Sequence, residues 1–169
     1  MVAGDLFIYE EDFNKLNAVI SKLREEAHAK IVFLVDKNGQ QIAATGDIEN
    51  LDTTSLASLT AGNVAATDGL ARLIGEREFN ILFHEGERDN IHISIVANRI
   101  ILVVIFDQRS SLGLVRLRVK KASGELTRIF DQIMEKISKE KETVRKDFES
   151  PFSEITDEDI ERLFGGGES

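Results

Sequence analysis

Cysteine is absent from this chain and proline occurs once in 169 residues. The first absence excludes disulfide staples, thiolate nucleophiles, Cys-based zinc sites and iron–sulfur ligation, and suits a reducing cytosol. The second argues against proline-rich recognition tracts. Long apolar runs are missing as well. The longest, Ile100–Phe106, falls far short of the ~20 residues that span a bilayer, so no membrane insertion is expected. The opening MVAGDLFIYEED lacks the basic and then apolar regions of a secretory signal, which places the expected location in the cytoplasm. Catalytic motifs are equally scarce. No GxxxxGK[ST] or GxGxxG cradle for phosphates occurs, and neither does a GxSxG elbow or an HExxH pair. The expectation is a non-enzyme with no catalytic residues and no cofactor.

What is present is an ordinary globular composition with an acidic bias. Lys and Arg total 21 against 30 Asp and Glu, a formal charge of −9, which repels phosphate backbones and excludes general nucleic-acid binding. The excess is uneven: residues 139–169 hold ten acidic and five basic side chains, a net of −5. We therefore divide the chain into a domain over 1–138 and an acidic linker with a short interaction helix over 139–169.

Periodicity supplies the elements. Phe13, Leu16, Ile20, Leu23 and Ala27 form one face of a first helix. The apolar run Ile31 to Val35, followed by Asp36-Lys37-Asn38-Gly39-Gln40, predicts a hairpin with a type I′ turn at Asn38-Gly39. Leu56, Leu59, Asn63, Ala66, Leu70 and Leu73 make the stripe of a second helix. Two alternating segments, around Phe79 to Phe83 and Ile91 to Ile95, predict the third and fourth strands. Ile100 to Phe106 has no polar side and belongs in mid-sheet, covered on both faces. Leu112, Val115, Val119, Ala122, Leu126, Ile129, Ile133 and Ile137 fit a long third helix. The order α-β-β-α-β-β-β-α predicts an α+β domain: a mostly antiparallel five-stranded sheet with helices on both faces.

Three features are candidates for chemistry or recognition. His84 and His92 flank the polar EGERD loop; with the hairpin centred on Arg88 they face each other beside carboxylates, but tetrahedral ligand spacing is lacking and a solvated hairpin face is the stronger reading, so no metal is expected. On the second helix, Ser58, Gly62, Ala65 and Gly69 form a stripe of small residues turned away from the leucines. Glycine inside a helix costs roughly 1 kcal/mol relative to alanine, so something packs close to this backbone, either the domain's own sheet or another chain. In the tail, Ser150-Pro151 is expected to break the chain. Beyond it, Ile155-Thr156-Asp157-Glu158-Asp159-Ile160 reads as a helix start with Thr156 as N-cap and Ile155 stapled to Ile160. The resulting helix, from Asp157 to Phe164, carries Ile160, Leu163 and Phe164 as an apolar edge and is too short to persist alone. The tail is expected to be mobile when free and to order on a partner.

Several long strings carry a resemblance: FLVDKNGQ at 33–40, DTTSLASLTAGNVAA at 52–66, FHEG at 83–86, SLGLVRLRVKKAS at 111–123, and SPF with EITDEDIERLF in the tail. Together they resemble the MglB-type bacterial regulators of the roadblock/dynein light chain superfamily, nearly end to end, and the roadblock fold has the element order derived above. The resemblance implies a cytoplasmic homodimer, enriched at a cell pole and joined through the third strand and second helix. It implies binding of a small Ras-like GTPase of the MglA type, two regulators per GTPase, and accelerated GTP hydrolysis in the control of cell polarity and gliding motility. It further implies that no arginine finger is donated and that the GTPase is remodelled so that its own residues complete the site. The family's contacting face falls on Ala65 and Gly69, so the expected GTPase-binding residues are Ser58, Gly62, Ala65, Gly69 and Arg72. Ile160, Leu163 and Phe164 are the expected C-terminal partner helix, acting on nucleotide exchange. Thr67-Asp68 departs from the family's smaller, less polar pattern. The alternative is a non-activating dimeric roadblock scaffold; a PAS- or profilin-type ligand domain fits the strand pattern less well.

Overall fold

The computed structural model describes residues 2–3, 6–153 and 157–164, with side chains over 8–148 and at 158 and 161–163. In chain order the elements are β1 (Val2–Ala3), β2 (Leu6–Phe7), α1 (Glu10–Glu26), β3 (Ile31–Asp36), β4 (Gln41–Gly46), α2 (Thr53–Leu73), β5 (Ile81–Glu85), β6 (Asn90–Val96), β7 (Ile100–Phe106), α3 (Leu112–Ser153) and α4 (Asp157–Phe164). The expected α-β-β-α-β-β-β-α order is present from α1 to α3. A two-residue strand pair precedes it, with Val2 opposite Phe7 and Ala3 opposite Leu6. The chain divides into compact units over Met1–Ile133 and Met134–Ser169.

In the first unit the five-stranded sheet runs β4-β3-β7-β6-β5, every pair antiparallel. The all-apolar β7 is central and buried along its whole length, as a strand without a polar side requires. One sheet face sets Phe33, Val35, Ile93, Ile101 and Val103 against Ala57, Ala61 and Val64 of α2. The other face belongs to α1 and α3, whose inward stripes are Leu16, Ile20 and Leu23, and Val115, Val119, Ala122, Leu126 and Ile133, all buried. Arg118 of α3 reaches Glu26 of α1 at 3.6 Å, tying the two helices side by side.

The turns correct one expectation. Asn38-Gly39 does not form a type I′ turn, since only Gly39 has positive φ (90°). The Asp36 carboxylate accepts from the amides of Asn38 (2.9 Å) and Gln40 (3.0 Å), and Gly39 N donates to Asp36 O. That locks a type I turn with a left-handed glycine and leaves a bulge between Leu34 and Val35. The two consecutive positive φ values of a type I′ turn occur between β6 and β7 instead, at Ala97 (52°) and Asn98 (57°). Gly46 ends β4 at φ 116°, where a Cβ would lie 2.9 Å from Ile31 Cα and collide with Lys30 O. Gly46→Ala is therefore expected to lower the unfolding free energy by more than about 1 kcal/mol in denaturant titration.

Helix α3 also differs from expectation. It runs 42 residues to Ser153, with Pro151 inside its last turn, so the acidic stretch after Ser138 is helix where a linker broken at Ser150-Pro151 was expected. The physical reason lies in its charges. Glu135–Lys139 (3.3 Å) and Glu142–Lys146 (3.9 Å) pair at i,i+4 in the orientation that supports a solvated helix. In the second unit α4 has the bounds read from the sequence. Among the described residues no helix is long and apolar enough to cross a membrane.

Candidate functional site

Helix α2 and the neighbouring edge strand β5 build the candidate site. Asp52 caps the helix, accepting from Ser55 N (3.0 Å) and Ser55 Oγ (2.6 Å). Those hydrogen bonds hold its carboxyl below the ordinary carboxylate range. The inward face is small: Ala57, Thr60, Ala61, Val64 and Ala71 are buried, and Thr60 returns its hydroxyl to Leu56 O. Small side chains let the helix sit close to the β-branched surface beneath it.

The leucine stripe, in contrast, lies on the outer side of the helix. Leu59, Leu70 and Leu73 are 72%, 59% and 84% exposed, and only Leu56 of that series packs against the core. Alanine and valine are the α2 side chains that meet the sheet. Ile74 and, on β5, Ile81 are exposed too. Scattered surface leucines need no explanation, but a ridge of them beside an unpaired strand edge marks an interaction surface.

The four small-stripe positions, Ser58, Gly62, Ala65 and Gly69, are exposed, and so is Arg72 one turn beyond them. A Cβ at Gly62 or Gly69 would meet nothing within 4 Å. Of the two sequence-level explanations for helical glycines, close packing on the domain's own sheet is thereby removed. Asp68 beside Gly69 is half-buried with Oδ1 shielded from solvent, and Thr67 Oγ1 donates to Val64 O at 3.0 Å. Both polar groups are drawn inward and leave the stripe itself uncharged up to Arg72.

Edge strand β5 is anchored to α2 by the Asn63 side-chain amide, 2.8 Å from His84 Nε2. The register places His84 opposite Ile91 and His92 opposite Phe83. The two histidines thus point to opposite faces of the sheet, one residue out of the expected alignment, and His92 is buried. They cannot share a ligand. Of the arginines that a transfer reaction might recruit, Arg72 and Arg77 are exposed, while Arg109 donates to Asp107 at 3.0 Å. That contact raises the guanidinium's hold on its proton and depresses the carboxyl. A cleft lined by Gly75, Glu76, Arg77, Glu78, Asn80 and Asn98 is polar and open, unlike the apolar pockets that hold small ligands. In α4, Leu163 is 80% exposed; the side chains of Ile160 and Phe164, and the expected cap at Thr156, lie outside the described residues.

A helix with an exposed small-residue face and a separate exposed leucine ridge now has relatives to be set beside. Residues 15–106 match the Roadblock/LC7 domain model, and MglB of Myxococcus xanthus is 63% identical, covering 76% of this chain and 96% of its own with a TM-score of 0.72. The chain belongs to the Roadblock/LC7 family. Within it, this Roadblock/LC7 protein groups with the MglB type. The gliding protein MglB of Thermus thermophilus is 32% identical with a TM-score of 0.73, covering 78% of this chain and 99% of its own. An MglB in a tetrameric arrangement is 31% identical with the same coverages and TM-score. Among curated proteins no sequence is a significant match. Roadblock/LC7 domains of this type are regulatory modules, in keeping with a site made of packing surface.

Proposed function

We propose that this protein is a homodimeric regulator of a small Ras-like GTPase of the MglA type, acting in the cytoplasm and at a cell pole to control polarity and gliding motility. Two copies bind one GTPase through Ser58, Gly62, Ala65, Gly69 and Arg72 and accelerate its GTP hydrolysis. The open small stripe of α2, on a chain 63% identical to an MglB, is the observation that carries this reading. Two glycines in one helical stripe with no neighbour of their own leave the backbone accessible to another protein's surface. The leucine ridge and the free edge of β5 supply the self-association surface, because unpaired strand amides and exposed leucines are both satisfied by a second copy. The α4 helix, with Ile160, Leu163 and Phe164 as its apolar edge, makes a second contact with the GTPase and acts on nucleotide exchange.

The regulator remodels the GTPase and donates no arginine. Arg109 is already paired with Asp107, and of the three candidates only Arg72 lies on the α2 stripe. Single replacement of Arg72, Arg77 or Arg109 by alanine is expected to change single-turnover hydrolysis less than about tenfold. A trans-acting finger would cost ~10³-fold or more. A loss of that size with binding intact would make the arginine catalytic. The deciding assay adds catalytic amounts of the protein to the GTP-loaded partner and follows phosphate release. Acceleration supports the regulator; binding without acceleration identifies a dimeric scaffold.

A further inference from the structure

Strand β6 carries two polar side chains into a dry layer of the first unit. His92 is 0% exposed and Ser94 5%. They lie two residues apart and so share a face. His92 stands opposite Phe83 of β5 and Val104 of β7; Ser94 stands opposite Ile81 and Leu102. This is not the α2 face, which takes Ile91, Ile93 and Ile95, but the face of α1 and α3. Neither imidazole nitrogen has a hydrogen-bond partner, and neither does Ser94 Oγ. Buried polar groups are almost always paired, and an orphaned imidazole at the centre of a strand calls for a reason.

The surroundings favour only the neutral ring. On the same face β7 offers Leu102, Val104 and Phe106, and β6 offers Asn90 and Ser94. Strand β5 brings Ile81 and Phe83, with Glu85 opposite Asn90 at the far end of the hairpin. From α3 the charge that reaches the imidazole is Arg116. The next basic residue on that helix, Arg118, is engaged with Glu26 of α1.

We propose that His92 is a proton-operated latch: neutral, it seats α3 against the β5–β6 edge, and protonated, it forces that layer to open. A charged imidazole there has no acceptor within hydrogen-bonding reach and a guanidinium for a neighbour, so it must move toward water, and α3 must move to let it out. Burial, and secondarily Arg116, hold its pKa below the ordinary 6.5. The sign follows from proton linkage. The open form binds the proton near 6.5 and the closed form only at lower pH. The advantage of the closed state is therefore complete above that value and shrinks as pH falls through it. The opening constant grows by up to about tenfold per pH unit until the closed form itself titrates.

Hydrogen exchange on the full chain, corrected for intrinsic rates, tests the latch at pH 7.5 and 5.5. Segments 90–96 and 112–122 are expected to open up to about tenfold more at the lower pH, and the increase is expected to vanish in His92→Leu. An equal response in protein and variant overturns the proposal. Should His92→Leu fail to fold, an NMR titration of the native protein decides, reading the His92 imidazole together with the backbone amides of 112–122. A His92 midpoint below the ordinary 6.5 that is shared by a change at those amides upholds the latch, and a midpoint at or above 6.5, or amides that do not respond, overturns it.

Discussion

Ala65→Arg combined with Gly69→Arg is expected to leave the protein folded and dimeric while weakening GTPase binding by more than about a hundredfold. The fold is spared because both positions are exposed, a Cβ at 69 meets nothing within 4 Å, and arginine is the better helix former than glycine by most of a kcal/mol. Binding is lost for two reasons that act together. A partner surface that fits against bare backbone clashes with a long, charged side chain. The guanidinium can avoid desolvation only by holding that surface away. Losing one hot-spot contact at the centre of an interface costs about 2 kcal/mol or more, and blocking two adjacent ones there exceeds the roughly 2.7 kcal/mol that equals about a hundredfold. Circular dichroism and sedimentation establish that the variant is intact, and a pull-down with the GTP-loaded partner reads the loss. Wild-type-like retention by a folded double variant would remove this face of α2 from the GTPase interface.

The second large effect is expected on self-association. Leu70 and Leu73 are 59% and 84% exposed on α2, beside the unpaired edge of β5. In an isologous dimer each substitution is felt twice. Leu70→Glu with Leu73→Glu replaces four interfacial leucines, each contributing about 1.5 kcal/mol of burial, by four carboxylates brought toward their symmetry mates. A shift of about 10⁴-fold or more in the dimer dissociation constant follows, enough to produce monomers at micromolar concentration in sedimentation equilibrium. The monomer should keep its helical signal, since neither side chain enters the core. An unchanged dimer would move the interface off the leucine ridge, and a native protein that is already monomeric at that concentration would remove the dimer altogether.

The two variants also separate the faces of one helix. Positions 65 and 69 lie on one stripe, 70 and 73 on the next, about 100° around the axis. Loss of the GTPase with the dimer retained, and loss of the dimer at the neighbouring stripe, would assign two partners to two adjacent surfaces.

How much of the fold is legible in the sequence depends on how local the deciding physics is. The 3.6-residue stripes of α1 and α3 have long, strongly apolar inward positions, and both stripes are buried, from Leu16 to Leu23 and from Val115 to Ile133. Strand β7 declares its central place because seven apolar residues in a row are stable only when both faces are covered. The bounds of α4 are likewise readable from its acidic first turn and glycine stop. Three features are not legible, because each rests on atoms distant in sequence or on competition between near-equal options. Asp36 captures two amides and chooses the turn in place of Asn38-Gly39. The β5–β6 register lies one residue from the symmetric alignment, which sends His92 inside and leaves His84 outside. Surface ion pairs at i,i+4 support α3 beyond Ser138.

Composition and periodicity by themselves determined the element order, the central strand, the lack of catalytic motifs and thiol chemistry, and the presence of an unusual small-residue stripe on α2. Only the tertiary structure decided which side of α2 is inside. Leucine is the more hydrophobic residue, and a sequence pattern ranks faces by hydrophobicity. The sheet beneath α2, with Phe33, Ile93, Ile101 and Val103, is met by Ala57, Ala61 and Val64, small side chains that allow a close approach of helix and sheet. Close packing outranked transfer energy at this part of the core, and Leu59, Leu70 and Leu73 lie at the surface.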